Sequence, residues 1–318
     1  MSTRSPGLDE AVQELSAGAR QWIRLHAGYL GSPAAHAELP VTPHVKALLQ
    51  LALLCRFWGK TEPGDAGLGE PTAALERAWQ HPDFPCFDIL DPVYARPLQL
   101  MYAALAPADT DARRSALARL AADGYLTPHR KSPYLRLETR FFADLAGGRH
   151  RLESYQELYA SSVLARAAVL PVADLDVCNI THTIFYLGDF GFRDPGLTEE
   201  AREQARRIVD RLTDLCVRRG DWDLIGKLVL GQYCLGLDPL RTESGAAAIR
   251  MLARAQSPDG AIPGRSAADR ATAATTHLEF FRMAYQVTLT TALATLIITS
   301  GRPVALSAAG APEGWGSR

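Results

Sequence analysis

The chain has 318 residues, a formal net charge of −1 and an isoelectric point near 6.7. This balance of charges argues against a nucleic-acid-binding protein, which would carry a basic surface or a high isoelectric point. Hydrophobic residues make up 47% of the chain, which excludes wholesale disorder. A chain of this length can bury a large core, in one large domain or two small ones.

The N-terminal residues have no apolar core of the signal-peptide type, and the five cysteines form no CxxC pair. An odd number of cysteines without a secretion signal indicates free thiols in a reducing cytoplasm. The longest apolar stretch, residues 283–299, contains Gln286 and several threonines and is short for a bilayer span. It predicts a buried helix, so we expect a cytoplasmic protein without a membrane span.

Twelve segments have the apolar periodicity of helices, and strand-like alternation is nearly absent. The segments lie near residues 8–29, 42–59, 71–81, 91–106, 109–123, 133–146, 151–169, 175–189, 198–219, 221–237, 242–256 and 275–300. Capping residues precede proline where several of them begin, as at Ser132-Pro133, and glycines such as Gly220 follow where they end. The sequence therefore predicts an all-α protein.

The segments alternate between charged, amphipathic helices and helices that are apolar on all sides. A helix with one polar face lies at a surface, whereas one that is apolar all round is buried. Six surface–buried pairs, each of roughly 45 to 55 residues, predict two concentric rings of six helices, an (α/α)6 toroid over residues 1–300. An open solenoid is the alternative, but it needs polar terminal repeats, and the last helix is among the most apolar. Residues 301–318, rich in Gly, Ala, Ser and Pro, predict a flexible tail.

In such a toroid the inner helices run in the same direction, so their N-terminal ends share one mouth. Helix dipoles converge there, which favours anionic groups and ligands. We therefore expect functional residues near the starts of the even-numbered segments, each of which opens with ionisable or aromatic polar side chains. The candidates for substrate binding are His44, Tyr94, Tyr134, Arg136, Glu138, Tyr186, Trp222, Glu279 and Tyr285.

The candidates for catalysis are His182, Asp223, His277 and Asp189. His182 lies in a segment crowded with polar and aromatic side chains, and the ordinary pKa of histidine suits proton transfer near neutrality. A hydrogen-bonded core histidine and helix-capping aspartates are the alternatives. Two histidines and a carboxylate could also ligate a metal, but no pair has the local spacing of HExxH. Phosphate-binding and dinucleotide fingerprints are absent from the sequence too, so we predict no metal and no cofactor.

One turn carries a family resemblance. Residues 251–264 read MLARAQSPDGAIPG, and Gln256 and Gly260 match the Q-x-x-x-G-x-W turn, with Ile262 in the Trp position. The turn resembles that of squalene–hopene cyclase and prenyltransferase-type α/α toroids. The resemblance implies the toroid fold and a structural role for Gln256, which would cap helix ends and join neighbouring repeats. It transfers no activity, because the cyclases' DxDD motif is not present: residues 174–176 (DLD) are followed by Val177.

Residues 181–191 (THTIFYLGDFG) and 221–224 (DWDL) also resemble a group of actinobacterial proteins to which no activity is attached. Three classes of function fit these patterns. The sequence favours an acid–base enzyme of bacterial specialised metabolism. Its substrate would be a hydrophobic or extended small molecule bound in the mouth of the toroid, and the reaction would be a cyclisation, an isomerisation or an elimination. The alternatives are a non-catalytic module that binds a peptide or carrier segment of a biosynthetic pathway, and a metal-dependent hydrolase or lyase. The oligomeric state stays open.

Overall fold

The computed structural model describes residues 6–31, 41–81, 84–85, 92–107, 110–167, 170–268 and 275–300. Every regular element in these ranges is helical, and each of the twelve predicted segments contains helix, so the all-α prediction is confirmed. The α-helices are α1 (Pro6–His26), α2 (Val41–Thr61), α3 (Gly69–Trp79), α4 (Pro92–Leu105), α5 (Asp111–Ala122), α6 (Pro133–Leu145), α7 (Tyr155–Ala160), α8 (Val163–Arg166), α9 (Val177–Gly188), α10 (Glu199–Arg219), α11 (Ile225–Cys234), α12 (Glu243–Ala255), α13 (Arg265–Ala268) and α14 (His277–Thr299).

Local capping explains where several helices begin and end. Ser132 accepts a hydrogen bond from the backbone N–H of Leu135, and Pro133, which lacks an N–H, occupies the first turn of α6. Thr198 caps α10 in the same way. Helix α10 ends at Gly220, whose φ of 67° is left-handed and costs glycine little. These boundaries follow from short-range chemistry and were predictable from the sequence.

The seventh predicted segment, residues 151–169, is not one helix. Ser154 forms a capping box with Glu157 at the start of α7, and Ser162 then caps α8 after a break. At the break Ser161 donates its hydroxyl proton to the carbonyl of Leu158. Serine side chains compete with the backbone for hydrogen bonds in this way, which interrupts a helix that apolar periodicity alone predicts to be continuous.

Six helices contact one another in cyclic order. Each helix packs against the one that follows it in the order α2, α4, α6, α9, α11 and α14, and α14 packs against α2. We call these six the central helices; they are the largely apolar, even-numbered segments of the sequence. Helices α1, α3, α5, α10 and α12 each pack against at least one central helix. The alternation of charged and apolar segments therefore corresponds to two sets of helices with different contacts.

Helix α14 is long and apolar enough to cross a membrane by length and composition alone. However, 78% of its most apolar window is buried inside the protein, where it packs against α1, α2 and α11. The prediction that residues 283–299 belong to a buried helix is therefore confirmed.

A left-handed turn after α9 inserts an aromatic ring between the central helices. Asp189, Phe190 and Gly191 have φ angles of 45°, 55° and 94°. The ring of buried Phe190 lies 4.9 Å from that of Phe57 on α2, 5.9 Å from that of Phe141 on α6 and 5.0 Å from that of Phe185 on α9. A left-handed conformation is costly for phenylalanine, and we attribute its retention to this burial. We call these four rings the phenylalanine cluster.

Gln256 connects the end of α12 to α1. Its Nε2 donates to the carbonyl oxygens of Leu15, at 3.1 Å, and Gly260, at 3.0 Å. Gly260 has a φ of 93°, and a Cβ atom there would lie 2.2 Å from the carbonyl oxygen of Gly18. The turn therefore requires glycine for both conformation and space, and Gln256 makes structural contacts between elements that are distant in sequence.

Candidate functional site

Two pairs of side chains, each spaced by four residues, meet where α6 packs against α9. Tyr134 and Glu138 lie on successive turns of α6, and His182 and Tyr186 lie on successive turns of α9. The hydroxyl of Tyr134 lies 2.9 Å from Nδ1 of His182, and the hydroxyl of Tyr186 donates to Oε1 of Glu138 at 2.9 Å. We call these four residues the polar cluster. All four were candidates from the sequence, and the structure brings them together.

Glu138 is the carboxyl group of the polar cluster. Burial raises its pKa above the ordinary value, while hydrogen bonds from Tyr186 and Tyr134 and the charge of Lys46 oppose that rise. A carboxyl group with a raised pKa holds its proton closer to neutral pH and can deliver it to a bound molecule. The same environment raises the pKa of both tyrosines, so their hydroxyl groups stay protonated and can donate.

His182 is a neutral imidazole at physiological pH. Burial lowers its pKa to about 3, and the nearby charges of Lys227 and Lys46 act in the same direction. Its Nδ1 contacts Tyr134, whereas Nε2 has no hydrogen-bond partner among the described residues. The hydroxyl oxygen of Tyr134 can accept a hydrogen bond from Nδ1–H. In that arrangement Nε2 carries a lone pair and can accept a proton.

Two lysines lie beside this cluster. Nζ of Lys227, on α11, donates to Sγ of Cys178 on α9 at 3.3 Å. Lys46, on α2, is close enough to act electrostatically on both Glu138 and His182. Sequence reasoning missed both residues. A signal was present, since lysine occurs only at positions 46, 60, 131 and 227, and two of these four lie near the starts of even-numbered segments.

Asp223 and Trp222 anchor a loop rather than join the polar cluster. The carboxylate of Asp223 accepts a hydrogen bond of 2.7 Å from the backbone N–H of Arg265, and Nε1 of Trp222 donates to the carbonyl oxygen of Pro263 at 2.9 Å. Burial raises the pKa of Asp223. None of the hydrogen bonds that these two side chains make within the described residues reaches His182.

Three further candidates lie on α14, and a fourth, His44, lies on α2. His277 is exposed at its first residue, and exposed Glu279 closes a capping box with Thr276. Tyr285 is buried, and its hydroxyl donates to the carbonyl oxygen of Ala47 at 2.8 Å, which ties α14 to α2. His44 is buried too, and its Nε2 donates to the carbonyl oxygen of Leu30 at 2.7 Å. These contacts join helices and caps, and none of them involves the polar cluster.

The remaining candidates are Asp189, Arg136 and Tyr94. Asp189 terminates α9, with one carboxylate oxygen 3.5 Å from Nζ of Lys60 and the other buried without a hydrogen-bond partner among the described residues. Arg136 forms an ion pair with Glu153. Tyr94 belongs to α4, and its side chain lies outside the described residues.

No three His, Cys, Asp or Glu side chains among the described residues lie together in a way that could hold a metal ion. The metal-dependent alternative therefore has no ligand set in the described ranges. The four described cysteines, at positions 55, 178, 216 and 234, are free thiols. A recess of about 380 Å³ lies between α1 and the turn after α2. Arg20 and Arg24 line it, and Arg20 lies 3.5 Å from Asp65.

Comparison with known proteins gives a family but no activity. A family model described as a domain of unknown function, DUF6895, matches residues 16–296. No curated protein and no solved structure matches the chain.

Proposed function

Since the chain belongs to the DUF6895 family, whose description states no activity, we propose a function from the site itself: the protein is an acid–base enzyme that isomerises a small molecule. The observation that carries this proposal is the polar cluster. It combines a carboxyl group of raised pKa with a neutral imidazole, and Tyr134 contacts both. Two titratable groups are suited to act as acid and base when their environments keep one of them protonated and the other unprotonated at the same pH.

The proposed architecture is the (α/α)6 toroid, with the central helices as its inner ring. The cyclic order of contacts from α2 to α14 and back supports closure. The Gln256–Gly260 turn supports it as well, because it resembles the turns of cyclase-type toroids and joins α12 to α1. In this arrangement the polar cluster would lie toward the mouth, and the phenylalanine cluster would close the inner ring behind it.

In the proposed reaction, Nε2 of His182 removes a proton from a carbon of the substrate while Glu138 delivers its proton to another atom. The substrate keeps its composition, and its double bond moves. His182 then carries an extra proton and Glu138 lacks one. Exchange with water removes the proton from Nε2 and returns a proton to Glu138, so both groups are restored without a co-reactant. Because one proton leaves the substrate and another returns to it, we favour isomerisation over net elimination for this pair of groups.

The test is deuterium exchange in a complex mixture. The full-length protein is incubated in D2O with a small-molecule extract of the producing organism, and mass spectrometry identifies any compound that gains deuterium or changes structure. We expect Glu138→Gln and His182→Gln to slow labelling by about a hundredfold or more. Exposed Glu14→Gln on α1 is the matched control and should label at the wild-type rate.

Two results would overturn the proposal. One is a wild-type protein that labels and converts no compound, which would favour the non-catalytic binding module. The other is equal labelling by the wild type and both variants, provided that circular dichroism shows all of them to be folded.

A further inference from the structure

Two ammonium groups converge on the polar cluster from different central helices. Lys227 lies in the first turn of α11, and its Nζ is 3.3 Å from Sγ of Cys178, which lies one turn before His182 on α9. Lys46 lies in the second turn of α2 and is exposed to solvent, and its charge reaches both Glu138 and His182. The cluster is therefore flanked by positive charge from two sides.

Neither ammonium group forms an ion pair with another described residue. Among the described residues, no carboxylate oxygen lies within 4.0 Å of Nζ of Lys46 or Lys227. The other two lysines are engaged: Lys60 lies 3.5 Å from Asp189 and over the ring of Phe192, and Lys131 donates to the carbonyl oxygens of Tyr125 and Thr127. Two cations held close to a partly buried imidazole repel its protonated form and are best compensated by an anion.

We propose that Lys46 and Lys227 bind the anionic group of the substrate, a carboxylate or a phosphate, beside Nε2 of His182. This inference rests on the proposed function for the location of the substrate, but it does not depend on turnover. Both lysines lie in the N-terminal halves of their helices, where the helix dipole adds to the attraction for an anion. An anion held by these lysines beside His182 would place the adjacent carbon of the substrate near the proposed base.

The chemistry of lysine fits this role. Its ammonium group is a compact point charge on a flexible stem, which can follow an anion through a reaction, whereas the arginine guanidinium fixes it in a bidentate geometry. Burial is the main cause of the low pKa of His182, and the charges of the two lysines add to it; an anion between the lysines would offset that added part. Substrate binding would thus make His182 a stronger base at the moment when a proton has to be removed.

Binding of two simple probes tests the inference in the full-length protein. Inorganic phosphate is followed by ³¹P line broadening, and hexanoate by ¹H saturation transfer from the protein. Lys46→Met and Lys227→Met remove one charge each and keep most of the side-chain volume. Arg250→Met, on the exposed face of α12, removes one charge elsewhere and is the matched control.

We expect each lysine variant to weaken binding of the preferred probe by about tenfold and the control to bind within twofold of the wild type. Preference for phosphate or for hexanoate then identifies the class of anionic group. Equal binding by all four proteins, or no binding of either probe to the wild type, overturns the inference. No turnover is needed for this test. A wild-type protein that binds neither probe but still catalyses deuterium exchange contradicts this inference alone. A wild-type protein that binds a probe but catalyses no exchange contradicts only the proposed reaction.

Discussion

The hydroxyl group of Tyr186 donates a 2.9 Å hydrogen bond to the carboxylate of Glu138 across the contact between α9 and α6. Burial raises the pKa of Glu138, and this hydrogen bond opposes the rise because it stabilises the charged form. The bond thus adjusts how easily Glu138 gives up its proton, and it ties two central helices at the level of His182.

Replacement of Tyr186 by phenylalanine should raise the pKa of Glu138 further, because the carboxylate loses the hydrogen bond from the Tyr186 hydroxyl while the effect of burial remains. The shift can be followed by ¹³C NMR titration of the Glu138 carboxyl carbon in selectively labelled protein. Tyr159→Phe on α7 is the control, since Tyr159 has no contact with Glu138. A Glu138 pKa that falls, or stays the same, in Tyr186→Phe would contradict this account.

His182 should make the protein sensitive to acid. An unfolded histidine titrates near pH 6.5, whereas in the folded protein its pKa is lowered to about 3. The unfolded state therefore takes up the proton first, so stability is fully present above pH 6.5 and is lost as the pH falls toward 3. At pH 5 the loss attributable to His182 amounts to at most about 2 kcal/mol.

Urea unfolding of His182→Gln between pH 7.5 and 4 measures this contribution. The variant should lose less stability over this range than the wild type. His129→Gln, which replaces an exposed histidine, should follow the wild-type curve. If His182→Gln and the wild type lose stability in parallel, His182 is not the neutral, buried group described above.

Gly260 should tolerate no side chain. Alanine there would be held at a φ of 93° with its Cβ 2.2 Å from the carbonyl oxygen of Gly18, so α1 and the turn would have to separate. We expect Gly260→Ala to cost about 2–4 kcal/mol of unfolding free energy. The matched control is Gly196→Ala, which also has a positive φ, 69°, but has open space around it and should cost only about 1 kcal/mol. Equal costs in guanidinium unfolding would contradict the proposed close contact.

Phe190 should be a major source of stability. Its ring is 4% exposed and contacts rings from α2, α6 and α9. Phe190→Ala should cost about 3–4 kcal/mol, because it leaves a cavity between three central helices. Phe192→Ala, which removes a half-buried ring stacked on Phe57, should cost roughly half as much. A cost for Phe190→Ala no larger than that of Phe192→Ala would show that the cluster does not join the helices as described.

Much of the fold was predictable because it depends on short stretches of chain. Ser132, Thr198 and Gly220 mark helix ends through hydrogen bonds and φ angles within a few residues. The break between α7 and α8 was predictable in principle from Ser161 and Ser162, but apolar periodicity over residues 151–169 outweighed that local signal. Periodicity reports which face of a helix is buried, and it says little about where the hydrogen bonds of the backbone stop.

The site was predictable only as a list of candidates. The same types of residue, at the same positions near helix starts, became a polar cluster at Tyr134, Glu138, His182 and Tyr186, a loop anchor at Asp223 and a helix cap at Glu279. The role of Glu279 depends on Thr276, three residues away, with which it forms a capping box. That pairing could be predicted from the sequence. The role of Asp223 depends on its hydrogen bond with the backbone N–H of Arg265, 42 residues away. Nothing in the intervening sequence indicates that contact.

The sequence by itself therefore determined an all-α chain of alternating charged and apolar helices, because amphipathicity and capping act over one or two helical turns. Tertiary structure alone decided which polar side chains share an environment. Residues 134 and 182, 48 positions apart, become hydrogen-bonded partners only when α6 packs against α9. The burial that lowers the pKa of His182 and raises that of Glu138 also arises from several helices at once, and so it has no counterpart in any single segment of the sequence.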